Sequence, residues 1–100
     1  MDELTLIQPD DWHLHLRDGD ALATTVPAAA RCFGRSIVMP NVVPPATTVE
    51  QARDYYERIL KHRPAGSDWF PLMVLYLTDN TSPEDIRQAK ASGLVFGCKY

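Results

Sequence analysis

Residues 36–77, SIVMPNVVPPATTVEQARDYYERILKHRPAGSDWFPLMVLYL, contain a strand, a helix and a second strand in succession. Residues 36–39 form a short apolar run that a proline stops, and residues 72–77 form a continuous apolar run, typical of parallel strands covered on both faces. Between them, Thr47 and Thr48 each stand three residues before a glutamate or glutamine, the spacing of a helix-capping box. This order predicts a parallel βαβ unit with a right-handed crossover.

The helix of this unit is predicted to bury one apolar face. The stripe on that face consists of Val49, Ala52, Tyr56, Ile59 and Leu60. Charged residues occupy the opposite side, and a Pro-Ala-Gly sequence ends the helix.

The same alternation of elements precedes the unit. Residues 4–7 and 12–16 are predicted strands, and residues 21–33 are a predicted helix. Because a proline cannot sit deep inside a helix, Pro27 predicts that the regular part of this helix begins near Val26.

A third helix and a fourth strand follow the unit. Ser82 is the predicted N-cap of this helix, Gly93 ends it, and residues 95–100 are apolar enough for a strand. The complete order is β-α-β-α-β-α-β, an α/β class that fits either an open doubly wound sheet or a (β/α)8 barrel. The first strand–helix connection, residues 17–20, lacks both GxGxxG and a Walker lysine, which argues against a nucleotide-binding sheet.

The barrel alternative carries an expectation about domain organisation. A barrel takes about 250 residues, and an apolar last strand would leave an unpaired sheet edge, which natural domains avoid. We therefore expect residues 1–100 to be the N-terminal half of a single barrel domain that is truncated here.

The composition excludes several classes of function. The chain has 100 residues, 45% hydrophobic and 23% charged, with 10 Lys and Arg against 13 Asp and Glu for a net charge of −3. These charges are interspersed, so no basic stripe suits nucleic acid or a membrane surface. The acidic start, Met1-Asp2-Glu3, is unlike a secretory signal. Cys32 and Cys98, without a CxxC pattern, suit free thiols in the core of a cytoplasmic protein.

The chemistry-bearing side chains concentrate in residues 11–18, DWHLHLRD. Side chains alternate along a strand, so His13, His15 and Arg17 are predicted to share one face. Alternate Cα atoms lie about 6.6 Å apart, which lets two imidazoles reach one metal ion. The alternative is a half-exposed strand whose histidines bind nothing, and the apolar surroundings together with Arg17 make it the weaker one.

Two further polar side chains stand where other strands end, at the edge of a parallel sheet that carries function. Asn41 follows the second strand and either binds a ligand or satisfies a turn. Lys99 lies in the fourth strand, and three roles stay open for it. It could be a Schiff-base amine, a carbamate that bridges two metal ions, or a lysine that points to solvent.

Three segments together resemble a known family: residues 9–20 (PDDWHLHLRDGD), residues 37–41 (IVMPN) and residues 44–48 (PPATT). They are similar to the class II (bacterial-type, homodimeric) dihydroorotases of the amidohydrolase superfamily, and the similarity continues to Lys99-Tyr100. The resemblance implies a zinc hydrolase with a (β/α)8 barrel. Such an enzyme interconverts N-carbamoyl-L-aspartate and L-dihydroorotate in pyrimidine biosynthesis, as a cytoplasmic homodimer.

The resemblance also implies roles for five residues. His13 and His15 match two ligands of the more buried of two zinc ions, and Lys99 matches the N6-carboxylated lysine that bridges both ions. Arg17 and Asn41 match the residues that hold the carboxylate of the substrate. The family's proton-transfer aspartate and its two further histidines belong to later strands. No catalytic residue is therefore expected within this chain, and the isolated chain is expected to be inactive.

Two other functions fit the same residues. A hydantoinase or allantoinase shares the paired histidines and the bridging lysine but has less reason to hold a carboxylate with Arg17 and Asn41. A non-catalytic, dihydroorotase-like fragment would lack the later metal ligands and the aspartate.

Overall fold

The computed structural model describes residues 2–100. Strands and helices alternate in the predicted order, and a 3-10 turn at Gly19–Ala21 precedes the first helix. The elements are β1 (Asp11–Leu14), α1 (Leu22–Cys32), β2 (Arg35–Val38), α2 (Val49–Leu60), β3 (Phe70–Tyr76), α3 (Pro83–Ser92) and β4 (Val95–Lys99). The predicted α/β class is confirmed.

The four strands form one parallel sheet in the order β1-β2-β3-β4. Asp11 pairs with Ser36, Ile37 with Leu72, and Tyr76 with Lys99. Each new strand is added to the same edge. A doubly wound sheet instead reverses its strand order at a switch point. The sequential order is the progression of a (β/α)8 barrel.

The core lies where the helices cover the sheet. Val26 of α1, Ile59 of α2 and Leu75 of β3 are fully buried and belong to one hydrophobic cluster. Trp69 is buried just before β3, and its indole N–H donates to the Ser36 hydroxyl at 2.9 Å. This hydrogen bond satisfies a polar pair that would otherwise be costly to bury.

Local capping chemistry explains the helix boundaries that the sequence predicted. The Thr48 hydroxyl accepts from the Gln51 N–H at 3.3 Å, and the Gln51 side-chain oxygen accepts from the Thr47 N–H at 3.0 Å. Ser82 caps α3 in a reciprocal capping box, and Gly93 ends that helix with a φ of 69°. Only glycine adopts this left-handed conformation at little cost.

Two predictions about secondary structure were wrong, and one about packing was incomplete. Residues 4–7 form no strand and their large side chains are exposed, because a single apolar segment needs a partner strand to pair with. The first helix begins at Leu22 rather than near Val26, since Pro27 within it removes one backbone donor without ending it. On α2 the fully buried tyrosine is Tyr55, whereas Tyr56 is half-buried.

The two cysteines also depart from expectation. Both Cys32 and Cys98 are free thiols, as predicted, but both are exposed and neither lies in the core. Burial of cysteine is a tendency of the residue type and does not decide which face of an element a given side chain occupies. Among residues 2–100, no helix combines the length and apolar character that crossing a membrane requires.

Candidate metal and substrate site

Two histidine side chains meet at the carboxyl end of β1. The Nε2 atoms of His13 and His15 lie 3.1 Å apart, with ring centroids 5.0 Å apart and ring planes inclined by 56°. Both residues are exposed. The backbone N–H of His13 donates to the Asp11 carboxylate at 3.0 Å, which fixes the chain just before the pair.

This spacing fits two ligands of one zinc ion. A tetrahedral zinc ion binds imidazole nitrogens at about 2.0–2.1 Å, which places two such nitrogens about 3.3 Å from each other. The observed separation of the Nε2 atoms is close to that value. Within residues 2–100, no three His, Cys, Asp or Glu side chains gather as a metal-binding group.

Arg17 lies beyond the strand rather than on it. β1 ends at Leu14, so the strand alternation that predicted a common face for His13, His15 and Arg17 does not extend to Arg17. Its φ is 63°, a conformation uncommon for a residue with a side chain. The Arg17 side chain is exposed, and its carbonyl accepts a hydrogen bond from the Tyr55 hydroxyl.

Asn41 follows the neighbouring strand at the same end of the sheet. The Met39 N–H donates to the Leu14 carbonyl at 2.9 Å, which ties the end of β2 to the end of β1. Pro40, which is buried, follows Met39. The chain then turns away from the sheet, and the Val42 N–H donates to the Pro40 carbonyl at 2.9 Å. Asn41 is exposed between them and stands on the rim next to the histidine strand.

Lys99 lies in β4, at the other side of the sheet. Its carbonyl accepts from the Leu77 N–H at 2.8 Å, and its half-buried side chain places Nζ 5.6 Å from the centre of the Tyr76 ring. Strands β2 and β3 separate it from β1, which at ~4.8 Å per strand amounts to about 14 Å along the sheet. The structure thus brings His13 and His15 into contact and leaves Lys99 on the same sheet, with two strands between it and β1.

Sequence reasoning missed the residues that hold the turn after β1. Both carboxylate oxygens of Asp18 pair with Arg58, to Nε at 3.0 Å and to the other nitrogen at 2.8 Å, and Oδ1 also accepts from the Gly19 N–H at 2.8 Å. The hydrogen bond from Arg58 lowers the pKa of Asp18 below its ordinary value. The sequence pattern places Arg58 among the charged residues of α2, opposite the predicted apolar face, and gives no indication of a partner in the turn.

Several known proteins that are similar to this chain are dihydroorotases. Over 99 residues the chain is 66% identical to a dihydroorotase of Hahella chejuensis, and over 98 residues it is 65% identical to a dihydroorotase of Ralstonia pickettii. The resemblance to the N-terminal part of dihydroorotases is confirmed. The chain spans 29% and 28% of the length of these two dihydroorotases. No protein-family model matches it.

Crystal structures of dihydroorotases have the same fold. The dihydroorotase of Campylobacter jejuni superimposes with a TM-score of 0.81 at 36% identity, over 91% of this chain and 26% of that enzyme. The dihydroorotase of Saccharomyces cerevisiae, crystallised with 5-fluoroorotic acid, gives 0.80 at 26% identity, over 90% of this chain and 24% of that enzyme. The four-stranded sheet is therefore a part of the dihydroorotase fold.

Proposed function

We propose that this chain is the N-terminal part of a zinc-dependent dihydroorotase, which we call the full-length protein. It would catalyse the reversible cyclisation of N-carbamoyl-L-aspartate to L-dihydroorotate in de novo pyrimidine biosynthesis. One observation carries the proposal. In a chain 66% identical to a dihydroorotase, two imidazole nitrogens lie 3.1 Å apart at the carboxyl end of the first parallel strand.

The proposed metal ligands in this chain are His13, His15 and Lys99. The two imidazoles already have the spacing of adjacent ligands. Lys99, as an N6-carboxylated side chain, would offer one anionic oxygen to each of two zinc ions. Zinc, when bound, supplies polarisation of the substrate carbonyl and activation of water. The remaining ligands are proposed to come from outside residues 1–100.

Arg17 and Asn41 are proposed to bind the carboxylate of the substrate. Arg17 presents an exposed guanidinium, whose planar set of N–H donors matches a carboxylate with two parallel hydrogen bonds. Asn41 stands on the adjacent strand end and adds an amide donor. Together they would orient the ring beside the histidines, and this positioning lowers the entropic part of the barrier.

Other parts of the proposal concern the whole protein. No residue of this chain is assigned to proton transfer, and we propose an aspartate outside residues 1–100 for that step. The full-length protein is proposed to be a cytoplasmic homodimer that binds neither nucleic acid nor membranes. The isolated chain is proposed to be inactive, because it holds only part of the metal site.

The test is an assay of purified full-length protein on dihydroorotate and N-carbamoyl-L-aspartate, with hydantoin and allantoin in parallel. We expect turnover of the first two substrates only, lost after chelation and restored by zinc. Turnover of hydantoin or allantoin alone would make the protein a different cyclic amidohydrolase. Zinc-loaded protein with no activity on any of the four would favour a non-catalytic role.

A further inference from the structure

The turn between β1 and α1 is held by side chains of another helix. The Tyr55 hydroxyl of α2 donates to the Arg17 carbonyl, and one helical turn further Arg58 binds the Asp18 carboxylate with two hydrogen bonds of 3.0 and 2.8 Å. Two consecutive residues of the turn are thus fixed by two residues of one helix face.

The turn needs external support because its backbone is unusual. Arg17 has a φ of 63°, which residues other than glycine, asparagine and aspartate adopt rarely. Such a conformation persists where surrounding contacts determine it, and it is frequent at functional sites. The hydrogen bond from Tyr55 ends on the carbonyl of that residue and so restrains the peptide plane that follows it.

The environment of Tyr55 keeps its hydroxyl available as a hydrogen-bond donor. It is 1% exposed, and burial raises its pKa far above the ordinary value, so the hydroxyl keeps its proton at neutral pH. The Arg58 guanidinium lies 5.4 Å from the centre of the Tyr55 ring, so these two side chains, which we call the anchors of the turn, also contact each other. Neither side chain lies at a strand end, where substrate and metal would bind.

We propose that Tyr55 and Arg58 are positioning residues: they hold the backbone of Arg17 and Asp18 so that the Arg17 guanidinium is aimed at the carboxylate of the substrate. This inference rests on the proposed function, because it assumes that Arg17 binds that carboxylate. Its consequence is specific. Loss of either anchor weakens substrate binding through Arg17 and leaves the histidine pair and the bound metal unaffected.

The experiment uses Tyr55→Phe and Arg58→Lys in the full-length protein. We expect KM for dihydroorotate to rise about three- to tenfold, the equivalent of one lost hydrogen bond, with kcat changed less than twofold and zinc content unchanged. Tyr56→Phe and Arg53→Lys are the matched controls. They make the same chemical changes on the same helix, at residues with no hydrogen bond to the turn among residues 2–100, and should leave KM unchanged.

A double-mutant cycle with Arg17→Ala separates positioning from general stability. If Tyr55 acts through Arg17, then Tyr55→Phe has no further effect on KM once Arg17→Ala is present. Effects that multiply instead, or a fall in zinc content, would overturn the inference. A thermal melt of each variant confirms that KM is measured on folded protein, and Arg58→Lys provides the same cycle should Tyr55→Phe not fold.

The outcomes also separate this inference from the proposed function. A raised KM in Arg17→Ala together with an unchanged KM in both anchor variants overturns the inference and leaves the proposed function intact. An unchanged KM in Arg17→Ala itself overturns the assignment of Arg17, and the inference with it.

Discussion

The Nε2 atoms of His13 and His15 are 3.1 Å apart, close to the separation of two nitrogen ligands on one tetrahedral zinc ion. Both residues are exposed at the carboxyl end of β1. A metal ion bound between them would need little rearrangement of the two imidazoles, and a small rearrangement costs little conformational entropy.

Removal of either imidazole should lower the metal content. We expect His13→Ala and His15→Ala to reduce the zinc content of the purified full-length protein, measured by elemental analysis. The chain contains one other histidine, and His62→Ala is the control that should keep its zinc. Cys32→Ser and Cys98→Ser, at exposed thiols, should also keep it. Full zinc occupancy in both strand variants would refute the metal assignment.

Arg17→Lys should impair substrate use more than folding. Lysine keeps the positive charge but cannot form two parallel hydrogen bonds to a carboxylate. We expect this loss to raise the activation free energy that kcat/KM reports by about 1.5–3 kcal/mol. That range corresponds to a roughly ten- to 150-fold decrease in kcat/KM. Steady-state kinetics and a thermal melt test the prediction, with Arg31→Lys, at an exposed residue of α1, as the control. A normal melt with unchanged kcat/KM would remove Arg17 from the site.

The ion pair of Asp18 and Arg58 should make stability depend on acid pH. Because the hydrogen bond from Arg58 lowers the Asp18 pKa in the folded state, the pair stabilises the protein above the ordinary pKa of about 3.9. That stabilisation is lost as the pH falls through the lower, folded-state pKa. Asp18→Asn should therefore cost about 1 kcal/mol or less at pH 7, since both side chains are partly exposed.

The measurement is the free energy of unfolding of parent and variant between pH 7 and pH 2. The difference between them should shrink as acid protonates Asp18 in the parent. Asp79→Asn, at an exposed residue in no ion pair among residues 2–100, should show no such convergence. A constant difference across the whole range would mean that the ion pair is not its source.

The elements of the fold were predictable where short-range chemistry defines them. Ser82, Pro83 and Gly93 specify both ends of α3 through hydrogen bonds and backbone conformation within a few residues, and the structure has these ends as predicted. The contact of His13 with His15 is also local, because the two residues are only two positions apart in the chain.

Other features depend on contacts between residues far apart in the chain. The Arg17 carbonyl accepts a hydrogen bond from Tyr55, 38 positions later, and no local pattern encodes that partner. The separation of Lys99 from the histidines depends on the number of strands between them and on the curvature of the sheet. Sequence patterns identify such residues, but only the packed structure gives the distances between them.

The proposed role of Lys99 as a carbamate predicts a change in mass that can be measured directly. A lysine carbamate loses CO2 readily in water, so it persists only where metal ions and neighbouring groups bind its oxygens. We therefore expect zinc-loaded full-length protein to carry the added mass of one CO2 at Lys99, detected by native mass spectrometry. The isolated chain of 100 residues should carry neither this mass nor activity, because it would supply only part of the proposed metal site.

Substitution of Lys99 tests whether the carbamate acts as a metal ligand. Lys99→Ala should abolish activity and lower zinc content, and a short carboxylate such as acetate in the buffer should restore part of both, because it can occupy the space of the missing oxygens. Lys90→Ala, at an exposed lysine near the end of α3, is the matched control and should change neither. An unmodified Lys99 in a zinc-loaded, active protein would end the bridging assignment, and it would do so independently of His13 and His15.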